Sequence, residues 1–134
     1  MDKYIFEVPI KVRDYELDAQ GIVNNANYIH YLEHTRHEFC EYAGLTWDEM
    51  NRRGWMPVVR RNDVTYLHSL RSGDTAVSKL WMERRGPRFI FHQDIFNQDG
   101  VQAVKAEVTV VSVVDGQPSR GDAMAEAFAE YISK

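Results

Sequence analysis

The stretch from Trp55 to Val114 limits most severely the folds open to this chain. Turn signals at Ser72-Gly73-Asp74, Arg85-Gly86-Pro87, Asp99-Gly100 and Asp115-Gly116 divide it into runs of roughly 8–14 residues. That spacing suits an antiparallel meander, because parallel strands would need a helix between each pair. The last run is the clearest: Ala106, Val108, Val110, Ser112 and Val114 share one face, and Lys105, Glu107 and Thr109 the other. A sheet with one apolar face has to be covered, so the upstream sequence must supply the cover.

It supplies a helix. From Asn25 to Ala43, Tyr28, Leu32, Phe39 and Ala43 recur at helical spacing, with Ile29 and Cys40 beside them. Asn24 or Asn25 can cap its start, and Gly44 stops it. Before it, Tyr4 to Val12 reads as a strand whose Pro9 suggests an edge or bulge, followed by a polar stretch, Asp14 to Gly21. After it, Thr46-Trp47-Asp48-Glu49 is a capping box opening a short helix that ends at Gly54. A last short helix runs from Asp122, as its cap, to about Ile132. The expectation is a single α+β domain over residues 1–134, with one long helix laid across a curved antiparallel sheet of about five strands.

Composition narrows the function. The 134 residues carry 16 Lys plus Arg against 20 Asp plus Glu, a net charge of −4, which argues against a dedicated nucleic-acid binder. The lone Cys40 excludes an intramolecular disulfide and a multi-cysteine zinc site, and suits a reducing compartment. Met1-Asp2-Lys3-Tyr4 leads into no signal-like apolar run, and Val108 to Val114 is too short to span a bilayer. These features predict a cytoplasmic domain with no membrane partner. Serine-hydrolase elbows, P-loops and dinucleotide fingerprints are absent from the sequence.

The unusual segment is VRDYELDAQGIVNNANYIHYLEHTR, from Val12 to Arg36. Asp18 stands in a polar loop just ahead of a helix start, where unpaired N–H groups and a partial positive charge can hold an oxyanion. A carboxylate there could serve as nucleophile or general base on an acyl carbonyl, or simply form a turn, the commoner duty of Asp. His30, His34 and His37 share a helix face, and His30-Tyr31-Leu32-Glu33-His34 matches a zinc-peptidase string, but so short a match in so small a chain is better read as a solvated helix face, and no metal is expected. Cys40 reads as a small core residue. Arg84, Arg85 and Arg88 form a basic turn that could seat an anionic ligand such as coenzyme A phosphates, or be a solvated turn.

Asp18, Gly21, Ile22-Val23, Asn27-Tyr28 and Glu33-His34-Thr35-Arg36 together resemble the signature of the 4-hydroxybenzoyl-CoA thioesterase-like family of hotdog-fold acyl-CoA thioesterases. The strand Asp63-Val64-Thr65-Tyr66 and the turn Leu70-Arg71-Ser72-Gly73-Asp74 extend the resemblance over nearly the whole chain. It implies hydrolysis of an acyl-CoA or acyl-carrier-protein thioester, with no cofactor beyond the coenzyme A of the substrate. Asp18 would be the catalytic carboxylate and the Asn25 N–H the thioester-oxygen ligand. Gly21, Val23 and Tyr28 would lie against substrate. Edge pairing of sheets into a homodimer or homotetramer is implied as well. The chain departs from the family in having Glu16-Leu17 before Asp18 and Asn25 where a His is frequent. Glu16 is given no catalytic part by the motif. A non-catalytic acyl-CoA-binding module and an acyl-thioester hydratase or dehydratase remain the rival readings; the latter needs a His base, and none lies in the Asp18 loop.

Overall fold

The chain lays down β1 (Phe6–Lys11), a single 3-10 turn (Asp14–Glu16), α1 (Asn25–Tyr42), α2 (Trp47–Arg53), β2 (Met56–Tyr66), β3 (Thr75–Arg85), β4 (Arg88–Phe96), β5 (Gln102–Val114), β6 (Gln117–Pro118) and α3 (Asp122–Ala127). This computed structural model describes residues 3–133; Met1 and Asp2, part of the N-terminal segment read above, and Lys134 lie outside the described residues. All pairings within the sheet are antiparallel, in the order β1-β3-β4-β5-β2, with the two-residue β6 on β5. α1 lies across the concave face, as the apolar patterning requires.

The meander expectation holds for β3, β4 and β5 and fails for β2. That strand pairs with the far side of β5, from Met56 opposite Val113 to Tyr66 opposite Val104. The connection from Leu67 to Asp74 therefore crosses the end of the sheet instead of making a hairpin. Its path is fixed by the head of α1. Val23 N–H donates to Leu70 O at 2.9 Å, Leu70 N–H donates to the Tyr28 hydroxyl at 2.9 Å, and Ile22 bridges to Arg71.

Two apolar clusters fill the space between helix and sheet. One gathers Tyr28, Tyr31 and Leu32 from the first half of α1 with Ile10, Leu70, Ile95 and Val104. The other gathers Phe39 with Phe89, Phe91, Val108, Met124 and Phe128. The inner face of β5 is the one the alternation picked out: Ala106, Val108, Val110 and Ser112 are buried. Helix boundaries follow their caps. Asn24 Oδ1 accepts from Ala26 N–H, and Thr46 accepts from Glu49 N–H. Glu49 does not complete the box; its carboxylate pairs with Arg52 and Arg53 on the next turn.

Two expectations about α3 are corrected. α3 ends at Ala127, and Gly121, not Asp122, is its cap residue. The Asp122 carboxylate is taken by Arg84 at 2.8 Å, and the chain beyond Phe128 turns back so that Ser133 N–H reaches Met82 O on β3. Arg36 does not pair with Glu33. It is buried, and its Nη1 donates to Gln93 Oε1 on β4 at 2.9 Å, while Gln93 Nε2 donates to Leu32 O.

Candidate active site

Val12 to Arg36 folds as a clamp on the head of α1. The chain after the 3-10 turn makes a tight reversal in which Asp18 N–H donates to Ile22 O, Gly21 N–H donates to Asp18 O, and Leu17 bridges to Val23. Gly21 sits at φ +76°, where a side chain would be strained, so a glycine is needed at this corner. Asp18 is exposed at the reversal. Its Oδ1 accepts from Gln20 N–H at 2.8 Å, which is the turn-forming duty, and among the described residues its Oδ2 has no hydrogen-bond partner. One oxygen positions the group and the other is free.

At the helix head, Asn24 Oδ1 takes the Ala26 N–H and Asn24 O takes the Asn27 N–H. The Asn25 N–H is left without an acceptor among the described residues, as a first-turn amide is. The Asn25 side chain is exposed. Val23 and Tyr28 are buried beside it. Burial pushes the Tyr28 hydroxyl above its ordinary range against the opposing hydrogen bond from Leu70, and the Asp18 charge adds to the upward push. The loop is tied to the helix head by the backbone, with Asp18 N–H on Ile22 O and Asn24 N–H on Glu16 O.

A cleft of about 340 Å³ opens there, lined by Val23, Asn25 and Tyr28 on one side and by Tyr66, His68 and Arg71 on the other. The last three are what sequence reasoning missed. They arrive on the crossing connection and the end of β2. The strand and turn that carry them belong to the family resemblance, but without the β2 crossover nothing assigns them to this site. Tyr66 packs on Tyr28 with ring centroids 5.4 Å apart. Arg71 donates its backbone N–H to Asp74, and its exposed guanidinium has no partner among the described residues.

Arg84, Arg85 and Arg88 are not brought to this cleft. Through the strand ladder, Tyr66 lies level with Ser78 on β3, six residues before Arg84, or about 20 Å at ~3.3 Å per residue. Arg84 donates to Gly86 O, Arg120 O and Asp122, and Arg85 pairs with Glu83. Arg88 is exposed.

Comparison with known proteins now bears on the site. The model of the Thioesterase-like superfamily matches residues 12–132. The chain belongs to that superfamily. A chloroplastic acyl-acyl carrier protein thioesterase of Arabidopsis thaliana, ATL3, is 49% identical over 103 residues, which are 74% of this chain and 54% of that protein. The chain thus spans about half the length of the plant relative. The acyl-CoA thioester hydrolase YbgC of Escherichia coli O157:H7 is 28% identical over 114 residues, 84% of this chain and 85% of YbgC. Among solved structures, a hypothetical protein of Aquifex aeolicus superposes with a TM-score of 0.84 at 27% identity, over 96% of this chain and 99% of that one. A Staphylococcus aureus protein solved in complex with CoA superposes at 0.86 and 20% identity, over 98% and 85%. The fold is the hotdog fold, the helix-wrapped sheet that the signature implied.

Glu16 is the surprise of the segment. Only 6% exposed, its carboxylate accepts from Arg13 N–H at 2.8 Å, Arg13 Nη2 at 2.7 Å and the Tyr31 hydroxyl at 2.8 Å. Its carbonyl oxygen accepts from Asn24 N–H and Asn27 Nδ2. Far from an inert acidic neighbour of Asp18, it ties the loop to α1. Burial alone would raise this carboxyl, but the hydrogen bonds from Arg13 and Tyr31 win and hold it below the usual carboxylate range. A depressed carboxyl stabilises the fold above its unfolded value, ~4.3, and that contribution is lost as pH falls through the folded value. Glu16→Gln is therefore expected to lower unfolding free energy by about 1–3 kcal/mol at neutral pH. In urea titrations the gap to wild type should narrow below about pH 4. A gap that is constant with pH would show that the ionised form makes no such contribution.

Proposed function

We propose that the protein hydrolyses an acyl thioester of coenzyme A or of an acyl carrier protein to the free acid and thiol. The observation that carries the reading is the pairing, on one clamp, of a carboxylate with a free oxygen and a helix-head N–H with no acceptor. The Asn25 N–H and the positive end of α1 stabilise charge developing on the thioester oxygen. Asp18 Oδ2 then acts in one of two ways. As nucleophile it adds to the carbonyl carbon, the tetrahedral adduct expels the thiolate, and water hydrolyses the resulting anhydride. As general base it takes a proton from water while that water's oxygen adds to the carbonyl, and the thiolate leaves with a proton. The thioesterase names of ATL3 and YbgC support this class of reaction. Neither route calls on a cofactor.

Arg71 is the cation that this chain itself presents to the cleft, and we assign it the anionic carrier: the pantetheine phosphate common to coenzyme A and acyl carrier protein. The Arg84–Arg88 turn reaches a carrier at this cleft only from a second copy. Such a copy has a place to dock. β2 is an edge strand of eleven residues, and its Val58 and Val59 are 42% and 39% exposed. An open edge of that length invites pairing, and we read it as the seam of a homodimer, itself able to double into a tetramer. A monomeric mass by light scattering at micromolar concentration contradicts that seam.

His68 gives the hydratase reading its one structural support, since it brings an imidazole to the cleft. A single assay separates the reactions. Against a panel of acyl-CoAs, hydrolysis releases free thiol, whereas hydration of an enoyl-CoA removes its conjugated absorbance and releases none. Asp18→Asn retains the oxygen that accepts from Gln20 N–H, so the loop keeps its shape while kcat falls by at least about a hundredfold. Arg71→Ala should raise KM for the CoA substrate more than it lowers kcat, and the effect should fade with an N-acetylcysteamine thioester. Near wild-type thiol release from the Asp18 variant would dismiss this loop as the active site.

A further inference from the structure

Two cavities lie along one side of α1, the cleft at its head and a second one farther along the helix. Asn25, Glu33, Arg36 and Cys40 fall on one helical stripe, and that stripe faces β2 at both ends. Asn25 and Tyr28 stand opposite Tyr66, while Arg36 and Cys40 stand opposite Val59. Between those ends Asn62 and Val64 lie on the same inner face of β2 as Val59, paired to Val108 and Ala106 of β5. Helix and strand therefore run antiparallel, with one cavity at each end of the shared stretch. The cavity at the far end has a volume of about 610 Å³, typical of small-molecule sites.

The two ends differ in chemistry. The near end holds the amide, Arg71 and His68; the far end is walled by Cys40, Met50, Val59, Phe91, Val110 and Phe128. Exposed Glu33 and His37 stand at the rim of the far cavity, and the one charged group of its buried wall, Arg36, is turned to Gln93 Oε1 at 2.9 Å. Trp47, which also lines it, is 64% exposed, a large apolar surface with little cover. Asn25 to Glu33 spans about 12 Å and Asn25 to Cys40 about 22 Å at ~1.5 Å per residue. An extended acyl chain advances ~1.3 Å per carbon, given C–C bonds of ~1.5 Å.

We propose that the far cavity holds the tail of an unbranched aliphatic acyl group of roughly ten to sixteen carbons, whose thioester lies at the head of α1. The inference rests on the thioesterase reading and adds the class of acyl group: long and aliphatic, neither short nor aromatic. The same apolar surface could instead be filled by a second copy docking along β2, an outcome the test must expose.

The test uses S-alkyl-CoA thioethers with butyl, octyl and tetradecyl chains, which bind without being cleaved. Emission from Trp47 should shift to shorter wavelength with the tetradecyl thioether and not with the butyl one, and the shift should vanish in Trp47→Phe. Each methylene moved from water into the cavity tightens binding by up to about fourfold, so the tetradecyl thioether should bind at least tenfold more tightly than the octyl. Filling the cavity from an exposed position, Val59→Trp, should lower the ratio of kcat/KM for myristoyl-CoA to that for butyryl-CoA by at least tenfold. Lys105→Gln, on the outer face of β5, should leave that ratio alone. Chain-length-dependent binding without thiol release would uphold the cavity while removing the hydrolase reading. Thioether affinities independent of chain length would overturn the proposal, as would a Val59→Trp variant that loses both substrates equally and falls to a monomer.

Discussion

A buried carboxylate holds the functional end of this fold together. Glu16 is fastened from three sides, by the Arg13 backbone, the Arg13 guanidinium and the Tyr31 hydroxyl, and its own carbonyl fastens two residues of the α1 head. A charge so placed is tolerated only because its lone pairs are met, and every group that meets them comes from the loop or the helix. Loop and helix are thereby made one body. Asp18, two residues beyond, inherits its position from this knot, as does the N–H of Asn25. The exposed carboxylate proposed to act on the thioester is positioned by the buried one.

Much of this was legible in the sequence where the information is local. The start of α1 follows from an Asn that can cap and its end from Gly44; β5 follows from strict alternation; the Asp18 loop follows from its spacing to Gly21 and Asn25. What was not legible depends on pairings distant in the chain. Nothing near β2 says that it will pair with β5 rather than β3, so the crossing connection, and with it the delivery of Tyr66, His68 and Arg71, could not be foreseen. Arg36 shows the same limit: helical spacing nominates Glu33, three residues away, yet the acceptor is Gln93, on β4. The turn at Arg84 to Arg88 looked like a phosphate seat because composition reports charge without reporting that Asp122 and Glu83 already occupy two of the three.

The two cavities along α1, a polar one at its head and a more apolar one at its far end, follow from the same topology. β2 reaches the far edge of the sheet, leaving space between itself and the helix where a hairpin partner would have closed it. At one end the crossing connection fills that space with polar groups; at the other α2 and α3 close it with apolar ones. A single strand displacement thus leaves room for both parts of the proposed substrate, the reacting carbonyl and the group attached to it.

The central claim is that a thioester carbonyl is polarised by the Asn25 N–H at the head of α1. The most direct measurement is the infrared carbonyl stretch of a ¹³C-labelled acyl-CoA bound to Asp18→Asn, recorded within the lifetime that its at least about hundredfold slower turnover allows. The account predicts a band displaced to lower frequency than the same thioester shows in water, as a preorganised donor weakens the C=O bond. A band at the aqueous frequency or above it, with binding saturated, would mean that the helix head does not hold the carbonyl, and the account would be wrong.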